Sequence, residues 1–377
     1  MKKTKKSTGV SLFYGPPADE AAIRYYAGFF APDPFILLRR AGKNHLVVNT
    51  LEEGRAVRTA KNAEIWTARR LSFSEKEAIR PAELILALAR ALRVRSVQVT
   101  EAFPASLADP LRAAGLRVET GEAASAAARE KKTREEVRQL EQAQNATARA
   151  MRRALAILKA AGIHKDGRLM WGKKVLTAER LRAEIEQSLM KQDYACEGTI
   201  VACGPAGADP HERGCGPLRA GEFIVLDIFP RHRDTGYWGD MTRTIIKGRG
   251  SAEQRRRFKA VCRAQTLALQ KIRAGVSGAA IHRAVFQSLE RDGFPRQRVE
   301  GREEGFIHGT GHGVGLQIHE APRLSPRAGR LRAGHVVTVE PGLYALPLGG
   351  VRMEDLVVVT KDGCRKLATA PMRLEIS

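Results

Sequence analysis

The chain has 377 residues, of which 43% are hydrophobic and 28% charged, and its formal net charge is +23. This composition excludes an intrinsically disordered protein, and the length predicts a globular chain with room for two domains. No apolar run reaches the roughly 18 to 20 residues of a membrane-spanning helix, so we expect no association with membranes. The apolar stretch behind the basic N-terminus is too short for a signal peptide, which favours a cytoplasmic protein.

The large positive charge makes a nucleic-acid-binding protein the first alternative to consider. The basic residues are spread along the chain, however, and neither a long basic arm nor a nucleic-acid-binding motif is present. The densest basic stretches, residues 1–6 and 255–257, are both short. We interpret the charge as a solvated basic surface and do not expect nucleic acid as the partner, while attraction to acidic partners remains an alternative.

The cysteines are odd in number and lack paired spacing, which favours reduced thiols over a disulfide framework. They are Cys196, Cys203, Cys215, Cys262 and Cys364. Two of them lie on either side of His211 and could suggest a zinc site. Their spacing is not a standard one and a fourth ligand is absent, so zinc binding here is only a weak alternative.

Residues 10 to about 125 predict a small α/β domain. A helix pattern covers 81–92, and the Ala-rich stretch 121–129 indicates a linker or a connecting helix. Strand-like segments lie at 35–38, 46–48, 96–100 and 116–119. We therefore predict an N-terminal domain of residues 1–125 and a second domain of residues 126–377.

Clear helix signals open the second domain. Thr133 and Glu136 form a capping box before an amphipathic run that extends to residue 161, with Gly162 at the predicted C-cap. A second helix is predicted over 178–190, with Thr177 as its N-cap. Strand-like segments follow at 199–202, 223–229 and 237–246.

The same order of elements then repeats. Ser251 and Gln254 form another capping box, and helices are predicted up to residue 274 and over 279–292. Strand-like segments return at 336–339 and 351–360. Two successive helix–helix–strand units predict a duplicated α+β domain, with its functional groups between the inner faces of two sheets.

Four acidic residues stand inside apolar strand-like segments, where an unpaired carboxylate is costly. They are Asp227, Asp240, Glu340 and Glu354. The turn-forming stretch 230–236 predicts a hairpin, and a centre between residues 233 and 234 places Asp227 directly opposite Asp240. Like charges that face each other across two strands are destabilising unless a positive charge bridges them. A metal ion is the simplest bridge.

Three histidines converge in the glycine-rich segment 308–319, namely His308, His312 and His319. The glycines permit close backbone approach and unusual dihedral angles. A single histidine here would more often be structural, but a cluster beside several buried acids favours a functional site. One imidazole and four carboxylates suit Mn²⁺, Fe²⁺, Co²⁺ or Zn²⁺ in an open catalytic site.

In their order along the chain, five residues resemble the dimetal signature of the pita-bread metallopeptidases, a family that includes methionine aminopeptidases, prolidases and Xaa-Pro aminopeptidases. They are Asp227, Asp240, His312, Glu340 and Glu354. The similarity extends through the segments GHGVGLQIHE, TVEPGLY and GVRMED. Residues 12–34 and the α/β domain behind them resemble the creatinase-type N-terminal domain, which methionine aminopeptidases lack.

The resemblance implies a fold and an assembly as well as a metal site. The expected fold is α+β, with a small α/β creatinase-like domain followed by a pseudo-symmetric pita-bread domain. Two divalent metal ions (Mn, Co, Zn or Fe, with Mn favoured) are the expected cofactors, and a homodimer that acts on a peptide substrate is the expected assembly. Asp240 and Glu354 would bridge the two metals. Asp227 would complete one site, and His312 with Glu340 the other.

Further roles follow from the same resemblance. His319 would hydrogen-bond the scissile carbonyl, His308 matches a histidine of the prolidase-like branch, and His211 lies where the family keeps a histidine near the substrate. Arg352 precedes Glu354 by two residues, so both side chains would share one face of a strand. The Arg352 guanidinium would clamp a substrate carboxylate, or alternatively it is a structural partner of a metal-ligand carboxylate.

The expected reaction is hydrolysis of the peptide bond before proline, by a prolidase or Xaa-Pro aminopeptidase that uses a metal-bridging hydroxide. Glu340 would move the proton to the leaving imino nitrogen, while the metals and His319 would stabilise the oxyanion. The alternatives are an amidohydrolase of different specificity on this fold and a non-catalytic binding module of the same fold. One departure from the family is the interval from Asp227 to Asp240, which is two residues longer than usual and predicts a longer hairpin tip.

Overall fold

The structure, a computed structural model, describes residues 9–16, 21–74, 79–121, 124–196 and 198–377. Contacts within the chain divide it into two compact units, Met1–Arg129 and Glu130–Ser377. Within the described residues, no helix combines the length and the apolar character that a membrane crossing requires. The basic stretch noted at residues 1–6 lies outside the described ranges.

The first unit is built on a six-stranded sheet with the strand order β4-β3-β2-β1-β5-β6. Its strands are β1 (Val10–Gly15), β2 (Phe35–Arg40), β3 (Lys43–Val47), β4 (Ala63–Trp66), β5 (Ser96–Val99) and β6 (Arg117–Thr120). Its helices are α1 (Ala21–Ala27), α2 (Thr50–Thr59), α3 (Pro81–Ala91) and α4 (Ala105–Ala113), and α5 (Ala124–Glu130) leads into the second unit. Strands β1, β2 and β3 are antiparallel, whereas β4, β5 and β6 join the sheet in parallel. The predicted α/β character of this region is confirmed.

The long helices of the second unit are α6 (Arg134–Ala160), α7 (Ala178–Met190), α8 (Ala252–Lys271) and α9 (Gly278–Arg291). The predicted capping boxes of α6 and α8 are both present, since the hydroxyls of Thr133 and Ser251 each accept the backbone N–H three residues later. The prediction that Gly162 caps the C-terminus of α6 is wrong. The helix ends at Ala160, its C-cap residue Ala161 has extended backbone (φ −68°, ψ 132°), and Gly162 begins a strand.

Two larger sheets organise the second unit, with the strand orders β11-β12-β14-β24 and β18-β17-β19-β22-β23. Smaller sheets pair β7 with β8 and β9, β10 with β13, β15 with β16, and β20 with β21. The strands are β7 (Gly162–Ile163), β8 (Leu169–Trp171), β9 (Lys174–Val175), β10 (Tyr194–Ala195), β11 (Ile200–Cys203), β12 (Ile224–Ile228), β13 (Arg231–His232), β14 (Met241–Lys247), β15 (Gln297–Val299), β16 (Arg302–Glu304), β17 (Gly311–Gly313), β18 (Glu320–Leu324), β19 (Val336–Val339), β20 (Gly342–Ala345), β21 (Gly349–Arg352), β22 (Asp355–Val359), β23 (Cys364–Lys366) and β24 (Glu375–Ile376).

Each large sheet packs against one pair of helices. Helices α6 and α7 share an apolar cluster with β12 and β14, in which Met151, Leu181 and Leu226 are buried. Helices α8 and α9 share another cluster with β19 and β22, in which Val285 and Val337 are buried. This repeated arrangement of two helices on one sheet is the duplication that the element order predicts.

The hairpin that carries Asp227 and Asp240 differs from the prediction. Asp227 on β12 pairs with Thr242 on β14, so the hairpin is centred one residue beyond the predicted point and Asp240 is not directly opposite Asp227. Residues 231–232 form β13, which pairs with β10 while Arg231 also bridges Trp238, so the hairpin keeps this register up to its tip. Since side chains alternate with a period of two residues, an offset of two positions keeps both acids on the same side.

Candidate metal centre

A cavity of about 840 Å³ lies in the second unit. Its lining brings together every site residue that the sequence predicts. These residues are His211, Asp227, Asp240, His308, His312, His319, Glu340, Arg352 and Glu354. They come from strands and loops of both halves of the duplicated fold, with Arg352 on the small β20–β21 sheet, so the cavity lies where the two halves meet.

Three side chains form a tight group in this cavity. Asp240, His312 and Glu354 are buried, and their ligand atoms all lie within 4.8 Å of one another. Burial raises the pKa of Asp240 and of Glu354, and the charges of neighbouring carboxylates raise both pKa values further. Carboxylates this close together in a buried cavity need protons or cations. Two carboxylates beside one imidazole fit a divalent transition metal.

The ring of His312 has the protonation state that a metal ligand requires. Its Nδ1 lies 3.1 Å from the carbonyl oxygen of Gly313, which assigns the proton to Nδ1 and leaves the lone pair on Nε2. Nε2 lies 3.3 Å from Glu340 Oε1 and 3.6 Å from Asp240 Oδ2. Burial lowers the pKa of His312 to about 4, so the imidazole is neutral at pH 7 and able to bind a cation.

Glu340 is aligned with His312 by a shared threonine. The hydroxyl of Thr338 accepts the backbone N–H of His312 at 3.0 Å and donates to Glu340 Oε1 at 3.2 Å. Thr338 lies on β19 and Glu340 follows that strand directly, so one strand end sets both side chains. Burial raises the pKa of Glu340. A carboxyl group with a raised pKa is suited to accept and release protons.

Asp227 and Arg352 form a buried ion pair in the cavity. Arg352 Nη2 donates to Asp227 Oδ2 at 2.7 Å, and the Thr242 hydroxyl lies 2.9 Å from Asp227 Oδ1 and 2.7 Å from Glu354 Oε2. The expectation that Arg352 and Glu354 share one strand is wrong. Arg352 ends β21, and the chain then turns so that the Glu354 N–H bonds the Thr242 carbonyl before β22 begins. Arg352 thus contacts a carboxylate of the site itself. This contact corresponds to the alternative in which Arg352 is a structural partner of a metal-ligand carboxylate.

The other histidines line the cavity in different environments. The ring of His319 packs edge to face against His312, with ring centroids 4.4 Å apart, and partial desolvation of the ring lowers the pKa of His319 to about 4 even though the residue reaches solvent. The Nδ1 of His308 bonds the Gly309 carbonyl, so its Nε2 accepts the hydroxyl of Tyr344 at 2.9 Å. His211 is exposed to solvent. The imidazoles therefore offer the cavity one buried candidate ligand, His312, one half-buried group, His308, and two groups that reach solvent, His319 and His211.

Gln144 holds a predicted metal ligand and was missed in the sequence. It is fully buried on α6, where its Nε2 donates to the Asp240 carbonyl at 2.6 Å and its Oε1 accepts the Asp240 N–H at 2.7 Å. Both backbone groups of Asp240 are thus fixed by one amide side chain. The available signal was a glutamine on the apolar face of an amphipathic helix, in line with Leu140, Thr147 and Met151.

Gly239 allows α6 to approach the chain just before Asp240, and its replacement by alanine is expected to lower the free energy of unfolding by about 1–3 kcal/mol. An added Cβ would lie 2.8 Å from the Ala143 carbonyl oxygen and would also meet the hydroxyl of Thr147, both on α6. Displacement of the chain at residue 239 from α6 should also weaken metal binding. Urea unfolding measures the loss of stability, and metal titration measures the loss of affinity. Gly162→Ala is the control because it meets no atom within 4 Å. Equal losses in the two variants would contradict the packing argument.

A duplicated α+β fold that brings buried carboxylates and an imidazole into one cavity is typical of a class of metal-binding proteins. Residues 138–361 match metallopeptidase family M24. This match covers more than half of the chain, and the chain belongs to that family.

Similar proteins include dipeptidases. The chain is 34% identical to the Xaa-Pro dipeptidase of Pyrococcus furiosus over 203 residues, which are 52% of this chain and 55% of that protein, so the match spans about half the length of that relative. A structure of the Xaa-Pro dipeptidase from Bacillus anthracis has a TM-score of 0.82 at 24% identity, over 98% of this chain and 95% of that one. A structure of dipeptidase PepE from Mycobacterium ulcerans has a TM-score of 0.76 at 27% identity, over 98% and 93%. These similarities confirm the predicted pita-bread fold.

Proposed function

We propose that this chain hydrolyses Xaa-Pro peptide bonds with two divalent metal ions as cofactors. The observation that carries the proposal is the buried group of Asp240, His312 and Glu354, with Glu340 3.3 Å from His312. The name Xaa-Pro dipeptidase, which two of the similar proteins bear, supports the same reaction. The residues that would hold the metals are Asp227, Asp240, His312, Glu340 and Glu354. When bound, the metals would lower the pKa of water from about 15.7 toward about 7 and so supply a hydroxide nucleophile.

The side chains of the cavity would carry the proton transfers. Burial raises the pKa of Glu340, so this carboxyl group would take a proton from the attacking water and deliver it to the leaving imino nitrogen of proline. Partial desolvation lowers the pKa of His319 to about 4, so its ring is neutral at pH 7. Its N–H would hydrogen-bond the scissile carbonyl oxygen as negative charge develops there.

The cavity lining offers separate places for the apolar and polar parts of a peptide. Its apolar side chains include Ile200, Phe229, Ile307 and Ile318. They would receive the proline ring and the side chain before it. His308 and His211 would contact the polar groups of the substrate. Arg352 would orient the substrate carboxylate. The alternative is that the same guanidinium serves as the structural partner of Asp227, with which it is paired.

The identity of the metal and the assembly belong to the same proposal. Manganese is the favoured metal, since oxygen donors outnumber nitrogen donors in the ligand set. The assembly is a homodimer, as the resemblance to the pita-bread metallopeptidases implies. A cytoplasmic location is supported by the five cysteines, all of which are free. Metal analysis of the purified protein and its mass in solution test the metal and the assembly.

Reconstitution of the metal-free protein tests the proposed reaction. We expect Mn²⁺ or Co²⁺ to restore cleavage of Gly-Pro or of a longer Xaa-Pro peptide, and Gly-Ala to be cleaved far more slowly. Glu340→Gln should keep the circular dichroism spectrum of the parent protein and lose at least about 100-fold in kcat. Equal cleavage of Gly-Pro and Gly-Ala would show that the proline assignment is wrong. The ratio between Gly-Pro and a tripeptide separates a dipeptidase from an aminopeptidase.

The alternative of a nucleic-acid-binding module gains no support from the basic cluster at 255–257. Arg255 pairs with Glu375, while Arg256 and Arg257 both pair with Glu253 on the same helix. These positive charges are partly neutralised within the chain and are less available to a phosphate backbone. Salt-dependent nucleic-acid binding without any metal-stimulated hydrolysis would favour that alternative over a peptidase.

A further inference from the structure

A buried ion pair beside His319 lies outside the proposed ligand set. Lys132 Nζ is 2.7 Å from Glu320 Oε2, and the two side chains are only 1% and 4% exposed. Lys132 stands directly before Thr133, the N-cap of α6, whereas Glu320 directly follows His319 and begins β18. The desolvation of two charges offsets much of their attraction, so a pair this deeply buried is weak evidence for stability alone. Its contacts point to a role in placing the chain around it.

Glu320 organises the turn that carries His319. Its Oε1 accepts the backbone N–H of Gln317 at 3.1 Å, and the Gly315 N–H donates to the Gln317 carbonyl at 3.0 Å. A Cβ on Gly315 would lie 2.7 Å from Lys132 Nζ and would also collide with the Glu320 carboxylate. The ion pair therefore packs directly against the backbone of the turn, and a side chain at Gly315 would displace the paired groups.

The same turn is also tied to the segment that carries Asp240. The indole N–H of Trp238 donates to the Leu316 carbonyl at 3.2 Å, and its backbone N–H donates to the Gly315 carbonyl at 3.1 Å. Trp238 stands two residues before Asp240, whose own backbone is held by α6. The turn is thus fixed at two points. Lys132 holds it from the residue before the N-cap of α6, and Trp238 holds it from the segment that α6 binds through Asp240.

We propose that Lys132 is a positioning residue that holds His319 against His312 through Glu320. The proposal rests on the proposed function for what His319 does in catalysis, but the placement of its ring against His312 can be tested independently of that function. His319 and Glu320 are neighbours in the chain, so a displaced Glu320 carboxylate displaces the imidazole with it. A misplacement of about 1 Å at a reacting group costs roughly 100-fold in rate.

Amide hydrogen exchange in the metal-free protein tests the placement without any activity measurement. Lys132→Met should accelerate exchange within residues 313–320 and leave residues 336–345 unchanged. Arg138→Met is the matched control, since Arg138 lies in the first turns of α6, close in sequence to Lys132, and forms an exposed ion pair with Glu135. This control should change neither segment. Wild-type protection of residues 313–320 in Lys132→Met would overturn the proposal, whether or not the chain is a peptidase.

A double-mutant cycle tests the path through His319. Lys132→Met should lower kcat/KM on a Xaa-Pro peptide by about 10-fold to 100-fold. In a His319→Ala background the same substitution should have little further effect, since both changes act through one imidazole. Equal fold losses in the two backgrounds would show that Lys132 acts elsewhere, and the proposal would then be wrong. An inactive wild-type protein would instead refute the proposed function and leave the exchange experiment decisive for Lys132.

A further variant separates placement from stability. Lys132→Met leaves the Glu320 carboxylate buried without its cation, whereas Lys132→Met combined with Glu320→Met removes both charges. We expect the double variant to regain the thermal midpoint of the parent protein but not its kcat/KM. Recovery of both quantities would reduce the ion pair to a stabilising contact and overturn the proposal. If the single variant does not fold, the double variant supplies this comparison.

Discussion

Asp240→Asn is expected to lower activity and to raise the stability of the metal-free protein. Hydrolysis of a Xaa-Pro peptide should fall by roughly 1,000-fold or more, or about 4 kcal/mol of transition-state stabilisation, because a buried member of the ligand group is lost. The thermal midpoint of the metal-free protein should rise, since asparagine removes a charge that faces the carboxylates of Glu354, Asp227 and Glu340.

The same carboxylates determine how the metal-free protein responds to pH. Burial and the neighbouring negative charges raise the folded-state pKa of Asp240 well above its ordinary value of 3.8. The stability that such a group contributes is complete below the unfolded pKa and is lost as the pH rises through the folded pKa. The metal-free protein should therefore lose stability as the pH rises from the acidic range. Asp240→Asn should make this loss smaller.

Scanning calorimetry over a pH series, with and without metal, measures both expectations for Asp240→Asn. In Mn²⁺ at 100 times the dissociation constant, the parent protein should gain about 2.7 kcal/mol, whereas the variant should gain far less. Asp362→Asn is the matched control, because it makes the same chemical change at an exposed position. A metal-free Asp240→Asn protein that melts below its parent would contradict the argument from charge repulsion.

The candidate metal ligands could be identified in the sequence because their burial conflicts with their chemistry. Asp227 interrupts an apolar strand and Glu354 precedes another, so the hydrophobic pattern itself marks these acids as residues that need a cation or a proton. The duplicated fold was predictable for a local reason. Capping boxes at Thr133 and Ser251 are formed by residues three apart, and each marks the start of one half.

Contacts between distant parts of the chain were not predictable from the pattern. The pairing of β13 with β10 beside the hairpin is one such contact, and no residue inside the hairpin indicates it. Gln144 and Asp240 are 96 residues apart in the chain, and Arg352 and Asp227 are 125 apart. Local spacing placed Arg352 beside Glu354, and the family resemblance gave it a substrate carboxylate as its expected partner. The tertiary fold supplies a carboxylate partner that local spacing does not contain.

Arg243 supports the candidate metal centre from the other face of β14. Thr242 and Thr244 bond the side chain of Glu354 and the backbone of Arg352, and Arg243 between them points to the opposite face. Its guanidinium donates to the Glu354 carbonyl at 2.6 Å and to Asp355 Oδ1 at 2.7 Å, and the residue is only 1% exposed. A buried arginine thus fixes the backbone of a predicted metal ligand.

Arg243→Met is expected to lower the free energy of unfolding of the metal-free protein by about 3–5 kcal/mol, because the fully buried carboxylate of Asp355 loses its arginine. Lys366→Met is the matched control, since Lys366 bonds the other oxygen of Asp355 at 2.6 Å but is 30% exposed. Solvent can replace the lysine more readily, so its loss should cost less in urea unfolding under chelation. A cost for Lys366→Met equal to that of Arg243→Met would refute this ranking by burial. In the same metal-free state Asp240→Asn should raise the free energy of unfolding. The two variants should therefore have opposite effects on stability. The side of β14 that faces the cavity has surplus negative charge without metal, whereas the charges on the opposite side are already paired.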